Sequence, residues 1–498
     1  MPKSASAFLP ELVKQLVNTK GINAKKAILE SLDDIQTASA EKFFAFVLDP
    51  RISLYQSEIV KVSPMLSHVH KKTFLASHPD PCIIDACMYV YGKSLTGATR
   101  GKQGQALISA VHDTLAPEYQ PLFNAFILRD LKCGIGIKTI NTVWEDSIFY
   151  SPYQQSESGK LKQFEGLNWI KGVYAQIKAD GMFFNGLVNA EFSEVMITSR
   201  KGTIIDSPAL ADLKDDLAEL ARIAPDSNGS GHNFHGELVV LDAVGNTLPR
   251  EVGNGMLNSM IQTGVDLPIG CVVQAKIWDV MSQDDYRSST GKKNQVGLPY
   301  CDKFTQLEYM FSGIVDLIAC ELVENRILHS FAEVAEYFKE ALARGEEGLI
   351  VKDPDLVWFD GKSDKSLKMK IVMHVDLFIV GLNDGDKNGR HADTFGSLQC
   401  ESSCGKLAVG VHGMSDILRQ EIFDNFESKW KGGIITCECN GVQENSEEGE
   451  KGEIKSLFLP RLKSELRLDK DEADSLDQIR EIEQSTIQNG GKPLPRKV

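Results

Sequence analysis

No apolar run in the sequence approaches the roughly 20 residues that a membrane-spanning helix requires. The most apolar stretches, IIDACMYVYG and CVVQAKIW, fall far short, which excludes a helical membrane protein. Basic charge is not in excess either: 54 Lys and Arg stand against 69 Asp and Glu, a formal net charge of -15. A chain-wide positive field for nucleic acid is therefore excluded, and any phosphate contact must come from where individual basic residues lie. The ten cysteines follow no regular framework, and MPKSASAFLPELVKQL has neither the apolar core of a signal peptide nor the Arg-rich, acid-poor pattern of a transit peptide. The expectation is a reducing cytoplasm without disulfides. Cys400, Cys404, Cys437 and Cys439 are spaced C-x3-C and C-x-C, which is not a standard structural zinc pattern, so they read as strand-packing thiols. A Gly-rich phosphate loop is missing as well, because the two G-K-S triplets at Gly92 and Gly361 have Cys87 and Leu356 where the first glycine belongs. DGDKNG at Asp384 begins like a calcium loop but carries Phe395 at the twelfth position, where a bidentate Glu is needed. No internal repeat is present.

What remains is an ordinary globular composition, 42% hydrophobic and 25% charged, in 498 residues, a length that implies about three domains. Residues 1–150 carry apolar positions at helical spacing in PELVKQLVN, KKAILESL, EKFFAFVL and PLFNAFILRDL, and read as an all-α domain. The polar stretch from Ser151 to Gly166 has linker composition. Within 151–370, short β-type runs (VYAQIKA, MFFNGLV, EVMITSR, FHGELVVLD, VVQAKIWDVM, EGLIVK) alternate with helical ones (ALADLKDDLAELARI, FAEVAEYFKEALARG), predicting an α+β or α/β domain. Residues 371–498 become strand-rich again in DLFIVGL, KLAVGVHG and GGIITCECNG, a length suited to a small closed or nearly closed barrel. An acidic helical stretch follows Lys470, and then the tail NGGKPLPRKV. The acidic loop from Glu444 to Glu453 is expected to face away from any bound phosphate backbone.

Five short segments carry chemistry: Lys178-Ala179-Asp180-Gly181 at the end of an apolar strand, His235-Gly236-Glu237-Leu238, Lys276-Ile277-Trp278-Asp279, Glu347-Gly348-Leu349-Ile350-Val351-Lys352, and Lys368-Met369-Lys370. Singly, each has a plain structural reading. Trp278 alone is core, Glu237 alone is a strand-end ion pair, and Lys368 with Lys370 is a solvated face. As an ordered set they describe a phosphate-handling site. A lysine amine has a reference pKa near ~10.4, so a nucleophilic Lys178 must be neutralised by desolvation or by nearby cations. Lys368 and Lys370, two apart on a strand, point the same way and supply such a field. Glu237 and Glu347 are hard oxygen ligands suited to Mg2+.

In order and spacing the five segments resemble the motifs of the covalent nucleotidyltransferase superfamily, which includes ATP-dependent DNA ligases, RNA ligases and capping enzymes. Two further segments extend the likeness over nearly the whole chain. LRDLKCGIGIKTINTVW resembles the DNA-binding domain of DNA ligases, and LFLPRLKSELRLDK resembles their last motif. The pattern is most similar to the three-domain ligases of large tailed bacteriophages. The resemblance implies a helical DNA-binding domain, an adenylation domain and an OB-fold barrel, and it implies ATP and a divalent metal as cofactors. It implies that Lys178 takes AMP from ATP and passes it to the 5′-phosphate of a nick in duplex DNA, in replication, repair and recombination. Gln176 would meet the exocyclic amine of adenine and Trp278 would stack on the base. Ile177, Asp180, Arg200, Glu237, Lys352, Lys368 and Lys370 would complete the nucleotide site, with Glu237 and Glu347 on the metal. Arg467, Asp469 and Lys470 would orient departing pyrophosphate during the first step only. Lys132, Lys138, Arg200, Arg250 and Asn254 would face DNA. A monomer is expected, and the tail is a candidate for docking on a replication protein.

The chain departs from the family's K-x-D-G-x-R by carrying Phe183 at the arginine position, and a phenyl ring cannot replace a guanidinium fork. Lys303, in LPYCDKF, stands where the phage enzymes tend to have arginine, and the last motif is one residue longer before Arg467 than in many relatives. The alternatives are an RNA ligase or capping-type enzyme and a catalytically silent nick-binding protein. An NAD-dependent ligase is disfavoured, since neither a nicotinamide-binding domain nor a four-cysteine zinc module is found.

Overall fold

The computed structural model describes residues 6–56, 58–60, 62, 64–159, 161–224, 229–289, 294–385, 391, 393–443, 454–488 and 491. Its N-terminal part is helical, as the apolar spacing predicts, with helices Leu9–Asn18, Ile22–Glu30, Asp34–Leu48, Pro64–Ser77, Ile83–Ser94, Gly101–His112, Gln120–Leu128 and Ile137–Asn141. The helix at Asp34 starts where Asp33 accepts from the Gln36 amide (2.9 Å) and the Gln36 side chain accepts from the Asp33 amide (3.3 Å), a reciprocal capping box. One apolar core built on Phe43, Phe44, Phe123 and Phe126 holds these helices together. Each fully buried phenyl ring contributes on the order of 1.5–3 kcal/mol.

The chain then enters a strand-rich region: β1 (Gln154–Ser158), β2 (Val173–Ile177), β3 (Met182–Val188), β4 (Val195–Ser199), β5 (His232–Leu241), β6 (Val272–Ser282), β7 (Cys320–Leu322), β8 (Asn325–Leu328), β9 (Gly348–Lys352) and β10 (Gly361–Lys370). They form two five-stranded sheets, ordered β1-β10-β9-β2-β8 and β4-β3-β5-β6-β7. Every residue of β2 is buried, which is why VYAQI reads as a continuous apolar run rather than an alternation. Helices Ala211–Ile223 and Tyr300–Ser312 fill the space against the second sheet, and helix Phe331–Ala343 packs against the first. The stretch expected as a linker instead contains β1, paired in parallel with β10, and a short helix at Leu161–Glu165. Its polar composition concealed a strand at the edge of the sheet. Asp360, immediately before β10, ties the helical region to this one: Lys138 pairs with it at 2.6 Å, and the Tyr150 hydroxyl donates to it at 3.0 Å.

A third region comprises β11 (Met373–Asn383), β12 (Ser397–Glu401), β13 (Ala408–Val411), β14 (Ile434–Cys439), β15 (Val442–Gln443), β16 (Ser456–Leu457) and β17 (Arg461–Leu466). Its main sheet is antiparallel, ordered β13-β12-β11-β14-β17. The edges are brought together where the Leu462 amide donates to the His412 carbonyl at 2.7 Å, so the sheet is nearly closed. Cys400, Cys437 and Cys439 are buried in its core, while Cys404 is exposed. Helix Leu476–Gln488 lies along β11 and also reaches helix Phe331–Ala343. The acidic loop 444–453, most of the calcium-like segment and the tail lie outside the described residues, Gly491 of the tail excepted. No helix is long and apolar enough to cross a membrane among the described residues.

Candidate active site

The two sheets of the middle region face each other across a cavity of about 250 Å³. Lys178 sits at its rim, one residue beyond β2, with its amide held by the Gly348 carbonyl at 2.9 Å and its ammonium paired with Glu347. Strand β3 follows after the tight passage Asp180-Gly181, where a side chain has no room: a Cβ on Gly181 would lie 2.2 Å from the Leu238 carbonyl oxygen. The same logic explains Gly236, whose Cβ would meet the Lys276 carbonyl oxygen at 2.5 Å. At that point β5 and β6 shift register, with His235 opposite Asp279 but Gly236 opposite Ile277. Trp278 is thus the extra residue of a β-bulge, and bulging turns its indole toward the cavity.

Gln176, Trp278 and Tyr153 to Ser156 line the cavity together with Lys178, Arg200, Lys352 and Lys368. Burial brings Lys352 down to about 7 against the pull of Asp279, and its ammonium lies 4.1 Å above the Tyr300 ring. Asp279 is fully buried; burial raises its carboxyl, but Lys303, 2.7 Å away, and Lys352 outweigh that and hold it low. Lys303 therefore serves a buried ion pair beside the cavity. Burial, followed by the Lys178 charge, also lowers Lys368. Glu237 is the opposite case: burial pushes its carboxyl up to about 7, although Lys178 and Arg200 pull it down. His235 is buried and neutral, brought down to about 3 by desolvation, and stacks on Trp358 at 4.4 Å between ring centres.

Phe183 packs edge-on against Tyr153 (4.9 Å), and the Arg200 guanidinium lies 4.7 Å over Tyr153 and 5.6 Å over Phe183. Phe183 and Tyr153 together form an aromatic seat for the Arg200 guanidinium.

Not every expected residue lines this cavity. Asp180 turns away to pair with Arg250 at 2.8 Å and lines a neighbouring cavity with Glu347. Burial and Glu347 raise its carboxyl to about 6 against the Arg250 charge. Lys370 shares a strand with Lys368, but its ammonium donates to Asn440 of the third region at 3.1 Å, so the two lysines do not converge. Arg467 and Lys470 are held by the buried carboxylate of Asp376 at 3.2 and 2.6 Å, and Arg467 also pairs with Asp469, so none of the three is at the cavity. Lys132 is exposed, Lys138 is engaged by Asp360, and Asn254 donates weakly to the Gly181 carbonyl at 3.4 Å. Tyr153 and Tyr300 were not anticipated from sequence, and His235, Asp279 and Lys303, though they lie in segments singled out there, were given no role.

A lysine at a strand end, a bulged tryptophan and several cations line one cavity, with carboxylates close by, an arrangement chemically suited to nucleotidyl transfer. A family model for the ATP dependent DNA ligase domain matches residues 160–370. The DNA ligases of Enterobacteria phages T4 and T6 are each 28% identical over 389 residues, spanning 71% of this chain and 76% of the relative. A solved structure named Pmar-Lig_PreS3 superposes with a TM-score of 0.64 at 17% identity, covering 92% of this chain and 99% of its own, a likeness of fold. Residues 160–370 thus resemble the ATP dependent DNA ligase domain, and the likeness to the phage enzymes reaches over 71% of the chain.

Proposed function

We propose that Lys178 attacks the α-phosphorus of ATP, releasing pyrophosphate and leaving a lysyl-AMP bond. The AMP then passes to the 5′-phosphate of a nick in duplex DNA, and the 3′-hydroxyl displaces it to close the strand. The observation that carries this reading is the placement of Lys178 at the rim of a cavity whose walls present Trp278 and Gln176 to a base and Arg200, Lys352 and Lys368 to phosphates. Phosphoryl-type transfer asks a protein chiefly for positioning and charge stabilisation, and these residues are suited to both. In this reading residues 1–150 are the DNA-binding domain, 151–370 the adenylation domain and 371–498 an OB-fold domain. Lys132, Arg200 and Asn254 contact DNA, and Arg250 and Lys138 do so after leaving their present carboxylate partners. Because Arg467, Asp469 and Lys470 are away from the cavity, their action on pyrophosphate requires the C-terminal region to move. The enzyme works as a cytoplasmic monomer, and its tail is a candidate contact for a replication partner. The test is sealing of a nicked all-DNA duplex with ATP, beside a matched duplex with an RNA strand; sealing of the RNA-containing duplex alone would overturn the DNA assignment.

The donor set also fits a divalent cation. Glu237 is a partly buried carboxylate lining the cavity and Glu347 lies beside Lys178. Mg2+ is usually held by one or two carboxylates together with substrate phosphates, and these two residues supply that number. When bound, the ion neutralises developing charge on the phosphates. Below pH ~7 Glu237 is protonated and a poor ligand; above it the carboxylate is available. The Mg2+ concentration giving half-maximal adenylylation is therefore expected to fall as pH rises through about 7, and Glu237→Gln should flatten that dependence. A wild-type metal requirement that does not change across this range would remove Glu237 from the metal site.

A further inference from the structure

The hydrogen bonds behind the cavity have a direction, and that direction determines what the cavity shows to a purine. Tyr300 is fully buried at the start of helix Tyr300–Ser312, with its amide bonded to the Leu356 carbonyl at 2.8 Å and its ring edge-on to Tyr174 at 5.4 Å. Its hydroxyl is 2.7 Å from the Trp278 carbonyl oxygen and 2.6 Å from the Gln176 amide nitrogen. A carbonyl can only accept, so the single hydroxyl hydrogen goes to Trp278. The hydroxyl oxygen is then free only to accept, and Gln176 must turn its NH2 toward it. The other end of the Gln176 side chain, the Oε1 acceptor, is left for the cavity that Gln176 lines. An acceptor there matches the 6-amino group of adenine and opposes the 6-oxo group of guanine or hypoxanthine.

We propose that Tyr300 is a specificity-determining residue: by fixing the orientation of the Gln176 amide it makes the site select a 6-aminopurine nucleotide. This rests on reading the cavity as the ATP site. Tyr300 touches no nucleotide in this scheme and acts through Gln176.

The test compares covalent uptake of nucleotide from ATP and from inosine triphosphate, which differs at position 6 without adding the 2-amino group of GTP. Wild type should favour ATP strongly. In Tyr300→Phe the amide loses its anchor and can present NH2 to the cavity, so the ATP-to-ITP ratio should fall about tenfold or more, the size of one mismatched buried hydrogen bond. Gln176→Glu added to Tyr300→Phe should restore the ratio, because a carboxylate accepts at both oxygens and has no wrong orientation. Loss of folded protein would lower uptake from both nucleotides alike and leave the ratio unmoved, so a merely structural Tyr300 is recognised by an unchanged ratio, which would overturn the proposal. Failure of the double variant to recover selectivity would overturn it too. If wild type forms no adduct from either nucleotide, the ATP reading itself fails, an outcome distinct from both.

Discussion

Replacement of Lys178 by alanine is expected to abolish the covalent AMP adduct and to lower nick sealing by at least about 10³-fold, the scale seen when a nucleophile is removed from a covalent mechanism. The substitution also breaks an ion pair, since the Lys178 ammonium contacts Glu347, and a drop in activity alone would not separate chemistry from structure. Lys178→Arg does separate them. Arginine keeps the positive charge beside Glu347 but stays protonated throughout the working range, so it holds the loop and cannot attack phosphorus. Both variants should unfold at close to the wild-type temperature, should still bind nicked duplex, and should take up no label from ATP. A nick that already carries AMP on its 5′-phosphate bypasses the lysine, so sealing of that substrate should be largely retained in Lys178→Arg. An adduct forming on Lys178→Arg would move the nucleophile elsewhere.

Much of this site was legible because its chemistry is compressed into short segments whose spacing is dictated by backbone geometry. Gly181 and Gly236 are required by carbonyls that approach to 2.2 and 2.5 Å of where a Cβ would be, and the residues beside them, Lys178 and Glu237, are positioned by the same turns and strands. The strands themselves were recoverable wherever burial on both faces enforced an apolar run, as in β2. What escaped was set by contacts distant in sequence. Gln154–Ser158 is polar because it lies at the edge of its sheet, and only its pairing with β10 makes it a strand. Helix Arg250–Thr263 contains Gly253 and Gly255, whose poor helix propensity hides a helix stabilised by packing against β5. Spacing puts Lys368 and Lys370 on one side of a strand, yet it could not reveal that the Lys370 ammonium bonds Asn440 instead of lining the cavity with Lys368. The departure at Phe183 was visible at once, but its consequence required Tyr153, thirty residues earlier, to complete the seat under Arg200.

The second large effect is expected at Asp376, a residue with no motif to mark it. Its carboxylate is fully buried in the C-terminal sheet, accepts from the Thr436 hydroxyl at 2.7 Å, and pairs with both Arg467 and Lys470. Removing one partner of a buried ion pair usually costs about 3–5 kcal/mol because a charge is stranded. Here Arg467 and Lys470 retain 21% and 35% exposure and can turn to water, so about 2–3 kcal/mol is expected for Asp376→Ala, read as a lower unfolding midpoint of the C-terminal region in denaturant. The functional consequence should be uneven. If Arg467, Asp469 and Lys470 orient pyrophosphate in the first step alone, releasing their anchor should slow adenylylation by roughly tenfold or more while a pre-adenylylated nick is sealed at near the wild-type rate. Asp376→Asn, which keeps an acceptor for Thr436 but drops the charge, should lose less stability than Asp376→Ala and show the same split between steps. Equal slowing of both steps at unchanged stability would mean that Asp376 acts on the chemistry by some route other than holding this trio, and the assignment of Arg467 and Lys470 to the first step would fall with it.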